Sequence, residues 1–368
     1  MSEKNESARA KQQHNNTTMA VHVFHNSPVM IQHVAPDGFP ECGERLEGID
    51  AAIRAITWPD RCQFKKVTLS LTREEFIAIY GEKTVNQWCY GIANATKKGA
   101  PIFDRSLRDI FWSATSWDAI SNAAGAAVEA TRTVLTNSTL THAFCIVRPP
   151  GHHCFDVPSG FCIANNVAIA AHEVLGAGKR VAILDWDYHF GDGTVREFLD
   201  DPRVAFCSIH SITGSYGEPT YPSSKWKASA LARHTKGRMF NIAWDRADAN
   251  DAAIVYAVKE AVIPAFARFK PEILFISAGY DALKGDRLAG MELTPPVFGI
   301  LVHMLTTALG VPTVCVLEGG YDPELLGAGV VHTIQGLLGS PTCINTDTTL
   351  SEEHKTVVEA VVRELSLH

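Results

Sequence analysis

The sequence predicts an α/β chain: a single domain with a central, mostly parallel sheet covered by helices on both faces. Three observations carry that expectation. Short apolar runs rich in β-branched residues recur at 144–147 (FCIV), 181–184 (VAIL), 204–209 (VAFCSI), 239–244 (MFNIAW), 273–277 (ILFIS) and 313–317 (TVCVL). Amphipathic, Ala-rich stretches with helical spacing alternate with them, at 164–177, 251–269 and 295–309. Strand alternating with helix is the signature of a parallel sheet wound on both faces. No linker rich in Gly, Pro or Ser divides the 368 residues, a length within the range of one large α/β domain.

Taken in order, residues 1–20 are polar and lack an apolar period, so a disordered tail is expected there and one folded domain over 21–368. The run VHVF at 21–24 reads as a strand and 44–57 as a helix. Further helices are expected at 119–136 and 323–338. The rest of the N-terminal third gives no clear signal.

Hydrophobic residues make up 46% and charged residues 20%, an ordinary globular balance. The net charge of -7 argues against a general binder of nucleic acid or anionic membrane. The basic stretch at 225–238, KWKASALARHTKGR, reads as a solvated loop, with a partner-binding insert as the alternative. The nine cysteines form no CxxC pair, and an odd count in a long chain favours a reduced intracellular compartment over a disulfide scaffold. No apolar stretch reaches membrane-spanning length, and no signal-peptide core appears. The expected location is the nucleus, the cytoplasm or both.

The chemistry-bearing residues cluster just after the strands. RPPGHH follows the run at 144–147, DWDYHFGD follows 181–184, and His210 follows 204–209. AGYD follows 273–277 and EGGYD follows 313–317. Ligands of open α/β sheets bind outside the carboxyl ends of the strands, so one shared site is expected.

Within ILDWDYHFGDG (183–193), Asp185, Asp187 and His189 have a spacing of two, which in an extended chain directs all three to one face. Trp186 and Tyr188 would then pack on the other. Asp187 and His189, joined by Asp281, offer the oxygen and nitrogen donors a divalent metal takes. A lone D-x-D serves capping and turns equally well. The pair His152-His153, on a stiff Pro-Pro-Gly turn, suits acid–base work beside a metal, and is surface or core filler without one. Asp185 and Asp192 remain to orient the two rings. Tyr321, after Gly319-Gly320, could donate a hydrogen bond to a developing oxyanion, or be structural. Phe161, after Ser159-Gly160, could wall a channel or fill the core.

Together these segments resemble the zinc-dependent histone deacetylase family, in its class II-like branch. The matching residues are VRPPGHH (147–153), SGFCIANNVAIAA (159–171), ILDWDYHFGDGT (183–194), SIH (208–210), SAGYDALKGDRLAG (277–290) and LEGGYD (317–322), in order over roughly 22–340. The resemblance implies an arginase/deacetylase-type fold and hydrolysis of N6-acetyl-lysine in proteins. It implies a zinc ion on Asp187, His189 and Asp281, with His152 and His153 as the acid–base pair backed by Asp185 and Asp192. Tyr321 would polarise the carbonyl. Substrate contacts would fall to Gly160, Phe161, Leu288 and Gly319, with Tyr216 on the opposite wall. A structural potassium ion would use Asp185, Asp187, His189, Ser208 and Ile209. Arg45 matches the arginine of an inner cavity, and Asp109 is a candidate for the substrate-gripping rim. Partners implied are an acetylated protein or peptide and corepressor-type proteins, with no sequence-specific nucleic acid and no membrane.

Phe190 stands where the family commonly has a second His, and Asp192 where class II members usually have Asn. FPECGERL (39–46) lacks the usual His-Pro-Glu. An acetylpolyamine deacetylase is the rival hydrolase, but polyamine specialists carry Glu where this chain has Leu288. A binuclear manganese ureohydrolase needs D-x-H-x-D, and Gly191 occupies its last position. A non-catalytic acyl-lysine-binding scaffold would keep the pocket without turnover.

Overall fold

The structure, a computed structural model, describes residues 19–137, 139–214, 220–221, 237–342 and 349–367. Its strands are β1 (Ala20–His25), β2 (Cys62–Lys66), β3 (Ile102–Phe103), β4 (Phe111–Trp112), β5 (Thr141–Ile146), β6 (Val181–Asp185), β7 (Val204–Ser211), β8 (Met239–Trp244), β9 (Ile273–Ala278) and β10 (Thr313–Leu317). Eight of them form one sheet in the order β2-β1-β5-β10-β9-β6-β7-β8. Every pairing in that sheet is parallel. β3 and β4 make a small antiparallel pair apart from it.

From β5 through β10 every residue of the main-sheet strands is buried. Strands buried on both faces must be continuous apolar runs, because no side faces water. That is why these six were readable in the sequence. The edge strand β2 (CQFKK) is mostly exposed and carries no such run.

The helices are α1 (Ser27–Met30), α2 (Glu44–Arg54), α3 (Arg73–Tyr80), α4 (Glu82–Lys98), α5 (Ser116–Thr136), α6 (Asn166–Gly176), α7 (Asp192–Phe198), α8 (Asp251–Ala257), α9 (Ile263–Phe269), α10 (Pro295–Leu309), α11 (Pro323–Leu337) and α12 (Glu352–Glu364). The stretch 251–269 is not one helix. A π-helical turn at Val258–Val262 separates α8 from α9. Pro264 explains it: proline has no N–H to donate and crowds the carbonyl four residues back, and a wider turn relieves both. α3 opens with a reciprocal capping box between Thr72 and Glu75. With α4 and α5 it covers a second apolar cluster around Phe76, Trp88, Trp112 and Ile120. Residues 1–18 of the expected disordered tail lie outside the described residues, as does all but the end of the basic stretch 225–238, whereas Ala20 already begins β1.

Register puts the site on one level. Cys145 pairs with Val316, Val316 with Ser277, Ser277 with Asp185, and Asp185 with Ser208. The strands carrying the polar motifs therefore end in a single row, and the segment leaving each strand opens onto the same rim. His210 differs from expectation: it lies inside β7, fully buried, rather than beyond its end.

Beneath the rim lies a buried ion triad. Arg45, Glu41 and Arg148 are all 0% exposed. Glu41 Oε1 accepts from Arg45 Nη1 at 3.0 Å and from Arg148 Nε at 2.6 Å. Arg148 also donates to the carbonyls of Met30 and His33 at 3.0 and 2.5 Å, tying the loop after α1 to the end of β5. Removing the central carboxylate leaves two guanidinium groups buried without their counter-charge. Glu41→Ala is therefore expected to lower the unfolding free energy by about 3–5 kcal/mol. Urea denaturation would measure it, with exposed Glu44→Ala as a control expected to stay within about 0.5 kcal/mol.

Candidate active site

The chain leaves extended conformation after Asp185, so the strand-face argument covers Asp185 alone. Asp187 and His189 are positioned instead by turns in which each Asp carboxylate accepts the backbone N–H two residues on. Asp187 N donates to Asp185 Oδ1 at 3.1 Å, and His189 N donates to Asp187 Oδ1 at 2.9 Å. Trp186 is buried against Phe298, as packing requires. Tyr188 corrects the expectation of pure packing: it is buried, but its ring lies 5.1 Å from that of His189 and lines the cavity.

Asp187, His189 and Asp281 converge, with donor atoms within 4.8 Å of one another. His189 Nδ1 lies 3.2 Å from Asp187 Oδ1 and 2.9 Å from Asp281 Oδ2. Both carboxylates are fully buried. Backbone donors reach both: besides the His189 N–H, Asp187 accepts from Gly319 N–H at 2.9 Å, and Asp281 accepts from Tyr188 N–H at 2.9 Å. Side chains could not fit beside them. A Cβ on Gly279 would sit 2.1 Å from Asp187 Oδ2, and one on Gly319 2.6 Å from the same oxygen. Gly319 thus lies behind the carboxylates, where its N–H is needed, and not among the cavity-lining residues expected to meet substrate.

The electrostatics call for a cation. Burial and the neighbouring Asp187 charge push the Asp281 carboxyl up to about 7. Burial opposes charge on His189, but its bonds to Asp187 and Asp281 win and raise it to about 9. Protons thus supply the positive charge these ligands demand. A divalent ion fits the same donor set, two carboxylate oxygens and one imidazole nitrogen, which leaves a position open for a reactant.

The two histidines stand beside it, their rings 4.0 Å apart. His152 Nδ1 lies 2.9 Å from Asp185 Oδ2, and His153 Nδ1 lies 2.7 Å from Asp192 Oδ1. Burial and the charge of His152 push His153 down to about 4. Burial opposes the charge of His152, and Asp187 and Asp185 outweigh it, raising this ring well above the usual histidine range. The turn bearing the pair is fixed from below, because Gly151 and His152 donate their N–H groups to Glu318 Oε2 at 2.6 and 3.1 Å.

A cavity of about 630 Å³ opens above His153 and His189. Phe161 and Tyr321 meet edge to face across it, ring centroids 5.7 Å apart. Burial holds the Tyr321 phenol well above its usual range, so it remains a proton-bearing donor. Tyr221 stands edge-on to His153 at 4.5 Å and is bonded to Ser159. It comes from the loop expected to form the opposite wall, whereas Tyr216 lies outside the described residues. Gly160, Asp109 and Leu288 also line the cavity, and Leu288 is 47% exposed at its rim. Asp286 fixes that rim by accepting from the N–H groups of Leu288, at 2.9 Å, and Tyr321, at 2.6 Å. Ser208 and Ile209 flank Asp185 through the β6–β7 register, and Ser208 Oγ is engaged with His210 Nδ1 at 2.8 Å.

Arg45 does not line the cavity of about 630 Å³. It donates to the carbonyls of Gly320, at 2.6 Å, and Glu318, and its guanidinium lies 5.2 Å from the Tyr321 ring centroid. It clamps the Gly-Gly turn that presents Tyr321. Sequence reasoning missed Glu41, Arg148, Glu318, Asp286 and Tyr221. Of these, Arg148, Glu318 and Asp286 lie inside the matching motifs and Glu41 inside 39–46, and for Glu318 an acid directly after a buried strand was the available signal.

The histone deacetylase domain model matches residues 39–337. Histone deacetylase clr3 of Schizosaccharomyces pombe is 35% identical over 60% of this chain, and the match covers 32% of clr3. Polyamine deacetylase HDAC10 of Mus musculus is 32% identical over 82% of this chain and 45% of its own. The chain thus spans less than half the length of these curated relatives. The crystal structure of the HDA15 HD domain superposes with a TM-score of 0.80 at 28% identity, covering 95% of each chain. The architecture is therefore the arginase/deacetylase fold, and the chain belongs to the histone deacetylase family.

Proposed function

We propose that the chain hydrolyses the side-chain amide of N6-acetyl-lysine in a protein or peptide. The observation that carries this reading is the convergence, on the floor of one aromatic-walled cavity, of Asp187, His189 and Asp281 with two His–Asp pairs and the Tyr321 phenol. A zinc ion held by the first three residues would supply Lewis-acid polarisation of the amide carbonyl and of a water. The chain's own groups do the rest. Phe161 and Tyr221 flank a passage suited to an apolar four-carbon stem. One imidazole of the 152–153 pair accepts the proton of the attacking water, and the other donates a proton to the departing lysine nitrogen. Asp185 and Asp192 hold those rings in orientation. The Tyr321 hydroxyl donates to the oxyanion as it develops. Asp185, Asp187, His189, Ser208 and Ile209 would hold a structural potassium ion behind the centre, a reading supported by the pairing of Asp185 with Ser208.

The mouse relative named as a polyamine deacetylase favours a second reading, an acetylpolyamine substrate. Leu288 weighs against it, because an apolar side chain at that position offers no partner to a second ammonium group. A side-by-side assay decides: cleavage of an acetyl-lysine peptide is expected to exceed that of acetylspermidine, and the reverse order would select the polyamine reading. Absence of turnover on both would leave a binding scaffold.

Asp187→Ala is expected to lose both bound zinc, by elemental analysis, and activity. Full zinc occupancy in that variant would overturn the ligand assignment. Tyr321→Phe is expected to keep its zinc and lose on the order of 10²-fold or more in kcat. Unchanged turnover would remove the phenol from the reaction.

A further inference from the structure

Besides the Asp187–His189–Asp281 centre, the described residues contain one more group of metal-type donors. A ring nitrogen of His152, the sulfur of Cys162 and a carboxylate oxygen of Glu318 lie within 4.8 Å of one another. All are buried, with Cys162 and Glu318 at 0% exposure. They come from three segments that the fold fixes independently: the turn after β5, the turn before α6 and the end of β10.

Glu318 is the informative member. Its Oε2 accepts the two N–H groups of the 151–152 turn. Its Oε1 is equally buried and has no hydrogen-bond partner among the described residues. A buried carboxylate oxygen without a donor is unfavourable, and native structures rarely leave one so. Arg45 does not answer it, since that guanidinium goes to the Glu318 backbone carbonyl rather than the carboxylate. The Cys162 sulfur and a His152 ring nitrogen lie within 4.8 Å of a carboxylate oxygen of the same Glu318 side chain. His152 is prepared for ligation as well. Asp185 engages Nδ1, which leaves Nε2, 3.7 Å from Asp187 Oδ1, as the nitrogen to bind, the same carboxylate–histidine arrangement that orients metal-bound imidazoles.

We propose that His152, Cys162 and Glu318 form a second, inhibitory zinc site. The set of one nitrogen, one sulfur and one oxygen matches Zn²⁺, whereas Mg²⁺ and Ca²⁺ prefer oxygen alone. Binding makes bonds from zinc to Nε2, to a Glu318 carboxylate oxygen and to the sulfur. The Cys162 S–H proton, the His152 Nε2 proton and any proton on the Glu318 carboxyl leave to solvent, and nothing is oxidised or reduced. The bound ion takes the Nε2 lone pair, so His152 can neither accept nor donate a proton there. Excess zinc would then switch off the site that the first zinc equips. The inhibitory consequence rests on the proposed deacetylase reaction; the metal binding does not.

Cobalt separates the two sites, because the Asp187–His189–Asp281 centre contains no sulfur. The metal-stripped full chain is titrated with Co²⁺, and the near-ultraviolet thiolate-to-cobalt charge-transfer band is followed. The expected result is no such band with the first equivalent and its growth with the second. Cys162→Ser should lose the band and the second equivalent while retaining the first. In parallel, zinc is titrated against acetyl-lysine peptide turnover. Activity should peak at one equivalent and fall by at least about tenfold as the second binds, in keeping with loss of a proton-transfer group. Cys162→Ser should stay active in excess zinc. Should that variant fail to fold, protection of Cys162 in the wild-type chain from a thiol-alkylating reagent by the second equivalent alone gives the same answer. A second equivalent that raises no sulfur band and gives no protection overturns the proposal, as does undiminished inhibition of Cys162→Ser by zinc. Failure of the deacetylase reading would appear separately, as no turnover at one equivalent with the cobalt band intact.

Discussion

Two carboxylates buried side by side govern this structure. Asp187 and Asp281 are both inaccessible to water, and ionised together they repel. Nothing in the apolar sheet below can neutralise them. The neighbouring arrangement addresses that one difficulty. β6 and β9 end in the same row, which brings the two acids together. Gly279 and Gly319 carry no side chain where one would strike an oxygen, and the Gly319 N–H turns toward Asp187. His189 stands between the acids as a shared donor. A pocket preorganised around unbalanced negative charge is stable only when something positive occupies it. This is the sense in which a functional site strains against the fold that holds it.

The second layer of support is ionic as well. Arg45 and Arg148 share Glu41, and Arg45 reaches on to the carbonyls of Glu318 and Gly320. A chain of buried groups thus runs from the loop after α1, through the triad, to the turn that carries Tyr321. The position of the phenol over the cavity depends on residues that never touch a substrate. A buried ion pair contributes little net stability against an apolar equivalent, but loss of one member is severe. Such a network therefore fixes geometry more than it adds stability.

The readable and unreadable parts of the sequence divide along physical lines. β10 and α10 fall on the residues expected, because a fully buried strand is continuously apolar and a long amphipathic helix repeats its pattern. The edge strand β2 and the surface helices α3 and α12 were missed, since they are built on charge. Their signals were caps: Thr72 with Glu75, and Ser351 bonded to His354 N. In the site, the D-x-D-x-H cluster could be read because its members are neighbours in sequence, although turns, and not a strand face, bring them together. Glu318 could not be weighed that way. Its carboxylate serves a backbone group 167 residues away, and a long-range partner leaves no local pattern.

Phe161 holds a left-handed backbone, φ +69, which is rare for an aromatic residue. It is kept there by the neighbouring loop. Gly160 and Phe161 donate their N–H groups to the carbonyls of Arg108 and Asp109, in the loop that joins β3 to β4. Asp109 is itself left-handed, φ +55. The wall of the cavity is therefore shaped by a segment that contributes nothing to the metal-type centre. Insertions or deletions in that loop would remodel the passage while leaving the reactive floor untouched. In this architecture the range of molecules admitted and the chemistry performed on them can diverge independently over evolutionary time.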